Sequence, residues 1–129
     1  MDKAFAVRKA VFVVEQQVPQ DMEWDGEDER ATHFLAELDG ETVGTARYRT
    51  TDKGIKLERF AVLKEHRNKK VGEALVKAVL ADLDTTHYIY LNAQEAAINF
   101  YQRLGFIGEG DKFMEAGIVH LKMVFSNNN

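Results

Sequence analysis

The chain has 129 residues, a formal net charge of −4 and no cysteine: the length of one domain, without disulfides, thiolate metal sites or a cysteine nucleophile. With 45 % apolar residues, 29 % charged residues and a single proline, its composition is that of one well-filled core. The acidic balance argues against a broad nucleic-acid face, no apolar run reaches the ~18 residues of a membrane span, and "VFVV", preceded by "RK" and broken by Glu15, is no secretory signal, so a cytoplasmic protein is expected.

Residues 2–16 predict a helix, with Ala4, Val7, Val11 and Val14 on one face, Asp2 as a cap and Pro19 as its end. "QDMEWDGEDER" reads as a polar loop. Residues 32–50 form two alternating segments joined at Asp39-Gly40, the signature of a hairpin. After the turn "TDKG", "IKLERFAVL" is a third strand. Residues 70–83 predict an amphipathic helix through Val71, Leu75, Val79 and Leu83. "HYIYLN" is a short buried strand, and "QEAAINFYQRL" a helix that Gly105 terminates. The last segment predicts a pair of strands turning near Ala116-Gly117, followed by a frayed tail over 126–129. The order implies one α/β domain over 1–125, with a mixed, mostly antiparallel sheet flanked by helices.

Charge is unevenly spread. Residues 15–30 hold seven acidic side chains and one basic one, whereas "KEHRNKK" at 64–70 is strongly basic and opens the helix at Val71. A helix start offers unpaired N–H groups and a partial positive charge. With Lys64, Arg67, Lys69 and Lys70 beside it and Gly72 baring the backbone, it suits a diphosphate; a solvated helix start is the alternative. The run is neither a Walker loop nor a three-glycine dinucleotide fingerprint. Asp21-x-Glu23-x-Asp25-Gly26 begins like a calcium loop, but Thr32 stands at the twelfth position where a bidentate Glu is required and Asp28 at the eighth, so no metal is expected.

The segment "LERFAVLKEHRNKKVGEALV" resembles the acyl-CoA loop of the GNAT superfamily of N-acyltransferases, in which a strand ending in Ala-Val is followed by R-x-x-G-x-G/A at a helix start. The match falls on Arg67, Asn68, Lys69, Lys70, Val71 and Gly72, with Lys70 in place of the first glycine. "AAINFYQRLGF" is similar to the family's A-x-x-[LF]-Y-x-x-x-G-F helix, through Ala97, Phe100, Tyr101, Gly105 and Phe106. "VFVVEQQVP" and "EAGIVHLKM" resemble the small bacterial ElaA-like and YjcF-like branch. The blocks are in family order and cover most of the chain. Family members begin with a strand before the first helix; this sequence opens almost directly in that helix, so the strand is expected to be either missing or truncated, with the sheet edge exposed, covered by something else or paired with a second copy.

The resemblance implies direct acetyl transfer from acetyl-CoA, as co-substrate, to a primary amine of a small molecule such as an amino sugar, a polyamine or an amino acid. It implies a cofactor site at Ala61, Val62, Leu63, Arg67, Asn68, Lys69, Lys70, Val71, Gly72 and Glu73, with Asn92 and Gln94 near the family's Asn position. An N–H of Val62 or Leu63 would face the thioester oxygen. Tyr101 would protonate the leaving thiolate; on spacing alone it is a half-buried helix aromatic. A lysine-like amine also costs about 4.6 kcal/mol to deprotonate at pH 7. Glu58 is the candidate base, or else a strand charge paired with Arg47 or Arg59; Glu15, at the end of the first helix, is a further carboxylate candidate for the same role. Glu15, Trp24 and Asp25 would line the acceptor side, the carboxylates attracting a cation and the indole stacking on it. His120 reads either as a bonded sheet histidine or as a second candidate base. An acyl-CoA-binding module without turnover, an acyl-homoserine-lactone synthase, and nucleic-acid binding through "KEHRNKK" are the rival readings.

Overall fold

Small and branched apolar residues on one face shape the first helix, and a change of helical pitch follows it. The computed structural model describes residues 2–16, 31–67, 70–84 and 86–126. Helix α1 (Asp2–Arg8) runs into a π-helical segment (Lys9–Glu15) that closes with a Gln16 N–H bond to Val11 O at 3.0 Å. The expected single helix is thus two pitches, a wider turn inserted where Val11 reaches the sheet. Strands β1 (Thr32–Leu38) and β2 (Glu41–Thr50) form the expected hairpin, with Asp39 and Gly40 both at positive φ as a primed turn requires. Strand β3 (Ile55–Val62), helix α2 (Val71–Asp82), strand β4 (Ile89–Gln94) and the short helix α3 (Ile98–Arg103) follow.

The C-terminal segment holds three strands rather than the expected two: β5 (Phe106–Gly108), β6 (Phe113–Glu115) and β7 (Ile118–Phe125). Both short strands lie along the same edge of β7, β5 opposite Met123–Phe125 and β6 opposite Ile118–His120. Gly110 at φ +78° breaks the continuity between them, while Glu109 still donates to Lys122 O at 2.8 Å. Ala116 and Gly117, both at positive φ, make the turn from β6 to β7.

The strands form one seven-stranded sheet in the order β1-β2-β3-β4-β7-β5, with β6 also on β7; only β3–β4 is parallel. Helices cover both faces. On one, Val7 and Val11 pack with Ala61; on the other, Val71, Leu75, Val76 and Val79 join Val43, Leu57, Leu91, Phe106 and Met123. Gly44 permits the second contact. A methyl there would meet Val71 Cγ1 at 3.0 Å and Leu75 Cδ1 at 3.1 Å, tighter than most real contacts, so the helix side chains would have to give. Among the described residues no strand precedes α1, and β1 is a sheet edge. No helix among them is long and apolar enough to cross a membrane. The N–H of Ser126 still bonds Gly105 O at 2.9 Å.

Candidate active site

Strands β3 and β4 share three residue pairs, Ile55–Ile89, Lys56–Tyr90 and Leu57–Leu91, and then part. The register of β3 on β2 jumps at this point, from Arg47–Glu58 to Thr45–Ala61, so that Arg59 and Phe60 form a bulge with Arg59 at φ +58°. A bulge adds twist and bends its strand, which turns the end of β3 away from β4. The opening holds a cavity of about 220 Å³, lined among others by Glu58, Phe60, Asn92, Gln94, Tyr101 and His120.

Glu58 lies on its wall, nearly buried. Its Oε2 accepts from Arg47 Nε at 2.6 Å and Arg49 Nε at 2.9 Å, and Lys56 Nζ stands 3.4 Å from Oε1. Burial alone would raise its proton affinity. The Arg47 charge, the Arg49 hydrogen bond and the Lys56 charge outweigh that and hold the carboxyl below its usual range. Glu58 is therefore an ionised, heavily occupied carboxylate, and a weak proton acceptor. The pairing with Arg47 is the bland alternative weighed for it above; the anticipated Arg59 partner is not the one that neutralises it here.

Tyr101 comes from α3, its ring held edge-on by Phe100, Phe106 and Phe60 at centroid distances of 5.1, 5.7 and 6.2 Å. Burial among these rings pushes the phenol well above its ordinary value, so it stays protonated. It is a donor and not a base.

The backbone of β3 chooses between the two expected amide donors. Leu63 N–H is taken by Val43 O at 2.8 Å, so Leu63 has no free amide to offer a ligand. In an antiparallel ladder successive residues point their amides to opposite sides, and Val62 turns its own N–H and C=O away from β2. Its carbonyl accepts from Arg67 Nε at 3.1 Å, which fixes the arginine beside the next cavity.

That second cavity, about 490 Å³, is walled by Val62, His66, Arg67, Lys70, Gly72 and Phe100, among others. It sits at the start of α2, where among the described residues no side chain caps the helix and the first intrahelical bond is Ala74 N–H to Lys70 O at 3.1 Å. The N–H groups of the first turn are thus left for an anion. Lys70 occupies the N-cap with φ +62°, the left-handed conformation that a glycine adopts freely and a lysine at some cost. A methyl on Gly72 would come no nearer than 3.5 Å to Phe100. Glu73 in the same turn is 3.8 Å from Lys77. The two cavities flank one ridge, since Phe60 and Val62 are two residues apart on β3 and Phe100 and Tyr101 adjoin.

The structure thus brings Glu58, Tyr101, Asn92 and Gln94 to one cavity, and Val62, Arg67, Lys70, Val71, Gly72 and Glu73 to the other. Ala61 packs with Val7 and Val11 beneath them. Asn68, Lys69, Trp24 and Asp25, and the side chain of Glu15, lie outside the described residues. Three features were not anticipated. Gln16 and Gln94 exchange amide hydrogen bonds of 3.2 and 2.9 Å across the first cavity, joining the end of the π-helical segment to the end of β4. His66 Nδ1 is the buried side-chain polar atom left without a partner among the described residues, in the second cavity. The β6–β7 hairpin closes the first cavity with Glu115, Ala116 and Ile118. No group of His, Asp or Glu fit for a metal occurs among the described residues.

Comparison with known proteins gives the family and the fold. The family described as "Acetyltransferase (GNAT) domain" matches residues 2–126. The N-acetyltransferase YjcF of Bacillus subtilis (strain 168), itself uncharacterized, is 43 % identical over 126 residues, 94 % of this chain and 89 % of its own. The crystal structure of ElaA from Escherichia coli superposes with a TM-score of 0.86 at 32 % identity, covering 97 % of this chain and 88 % of that one. An acyl-CoA N-acyltransferase from Pseudomonas aeruginosa gives the same TM-score at 26 % identity, over 97 % and 89 % of the two chains.

Proposed function

The chain belongs to the GNAT acetyltransferase family, and from that premise we propose that it moves the acetyl group of acetyl-CoA to the primary amine of a small molecule within one ternary complex. The observation that carries this reading is the parting of β3 and β4 beside an uncapped helix start. It leaves the Val62 amide and the Tyr101 phenol on a ridge between two cavities. A coenzyme fits the second cavity by the chemistry of its walls. First-turn N–H groups of α2 and the Arg67 guanidinium offer donors to a diphosphate, and Gly72 keeps the backbone open to it. Acetyl-CoA would supply an activated acyl group there. The chain's part is to hold it, to point Val62 N–H at the charge developing on the carbonyl oxygen, and to keep a proton on Tyr101 for the departing sulfur. Asn92 and Gln94, at the end of β4, supply neutral hydrogen-bonding groups beside the reacting centre.

The acceptor occupies the first cavity. Its size favours a small amine, and the exposed Glu115 carboxylate provides negative charge at its edge, Glu58 being occupied by its three cationic partners. The test is thiol release from acetyl-CoA with a panel of amino sugars, polyamines and amino acids. Thiol release that depends on one of these amines supports transfer. Coenzyme binding without release from any of them would make the chain a binding module instead.

A further inference from the structure

We propose that His120 accepts the proton of the acceptor's ammonium group through Nε2, an assignment that rests on the acetyl-transfer reading. His120 lies in the middle of the site's far wall, opposite Gln94 of β4 on one side and Phe113 of β6 on the other. Its ring stacks on Phe113, with centroids 5.8 Å apart and planes at 22°. Nδ1 is 2.7 Å from the carbonyl oxygen of Ile118. A carbonyl has only lone pairs to offer, so Nδ1 must carry the proton and donate it. In the neutral ring that leaves the Nε2 lone pair open. The charged group facing it, Glu115 Oε2, is 4.0 Å away, beyond hydrogen-bond range.

The other titratable and charged side chains on the cavity wall are unsuited to the task. Lys56 and Arg59 of β3 are cations, Glu58 of β3 is occupied by its three partners, and Tyr101 of α3 holds its proton. Among the described side chains, strand β4 and the π-helical segment with its following residue bring neutral groups, Asn92, Gln94, Phe12 and Gln16. Glu115 of β6 is exposed. His120, 8 % exposed, combines a fixed ring with a free lone pair on the same cavity as Tyr101. Imidazole is the side-chain type that exchanges protons near neutrality.

The protons balance. His120 Nε2 takes one from R–NH3⁺ and later gives it to water. The amine nitrogen bonds the thioester carbon, the C–S bond breaks, and the thiolate takes the phenolic proton of Tyr101. The second proton lost by the nitrogen restores the phenol. The products are the amide, free thiol and one released proton.

Two measurements on the full chain test this. Long-range ¹H–¹⁵N spectra, with the His120 signals identified by their loss in His120→Asn, should show the Nδ1–H tautomer at high pH. The Nε2–H tautomer would overturn the assignment whether or not any variant folds. In thiol-release assays with acetyl-CoA and the amine panel, His120→Asn keeps a donor for the Ile118 carbonyl and loses Nε2. Its kcat should fall about 100-fold at pH 7, the acidic limb of the wild-type pH profile should vanish, and KM for acetyl-CoA should be unchanged. A variant that keeps its rate and its acidic limb overturns the assignment alone. A wild-type chain that releases no thiol with any amine overturns the transfer reading and this one with it.

Discussion

Glu58 and Tyr101 share one cavity and are driven to opposite protonation states. For Glu58 the folded value is lowered, so its contribution to stability is present above the ordinary carboxylate value of 4.5 and is lost as pH falls through the folded value. Glu58→Gln removes the buried carboxylate that Arg47, Arg49 and Lys56 share, so urea unfolding at pH 7 should show a loss of about 3–5 kcal/mol. The gap from wild type should narrow as pH falls below the ordinary carboxylate range and through the lowered folded value. For Tyr101 the folded value is raised, so stability holds below pH 10 and falls as pH climbs beyond it. Of the four tyrosines, Tyr101 should stay un-ionised in ultraviolet titration until the chain unfolds. Tyr101→Phe should lower kcat by about 100-fold and spare acetyl-CoA binding. Equal loss of both would make the phenol a structural group. The identity of Tyr101 was visible in the motif around it. Of the partners of Glu58, Arg47 was foreseen, whereas Arg49 and Lys56 were not, because the pairing depends on register and a one-residue slip would have faced other side chains.

At the scale of elements, local chemistry was legible wherever a turn or a helix end decided it. Asp39-Gly40 and Ala116-Gly117 marked both hairpins, and the basic run with Gly72 marked the start of α2. Ala116 holds a positive φ without the side chain that favours it, so Ala116→Asn should raise stability by about 0.5 kcal/mol in urea unfolding. Gly72→Ala separates fold from function at α2. The methyl has room and improves helix propensity by about 0.5–1 kcal/mol, so Tm of the free chain should rise. Acetyl-CoA should then bind more weakly, because the backbone is less open to the diphosphate. Undiminished binding would show that Gly72 serves the helix alone. What escaped the sequence was non-local: the wider pitch of residues 9–15, the division of β5 from β6, and the Arg59 bulge that spreads the sheet. Each depends on how a segment meets a strand distant in sequence, and periodicity carries no signal for that.

The whole molecule is a sheet opened at one point, with a helix N-terminus on one side of the opening and a hairpin carrying His120 on the other. The order of elements and the family were legible because the loop before α2 and the motif in α3 lie in continuous stretches. The acceptor cavity was not, because Gln16, Tyr101, Glu115 and His120 reach it from four separate elements. The central claim is that the mouth of α2 holds the coenzyme's diphosphate and so directs its thioester to the ridge between the cavities. Structure determination of the acetyl-CoA complex tests it most directly. The account predicts phosphate oxygens within hydrogen-bond reach of the N–H groups of residues 71–73 and of Arg67, with the thioester beside Val62 and Tyr101. Phosphates bound away from the start of α2, or a thioester outside the gap between β3 and β4, would contradict it.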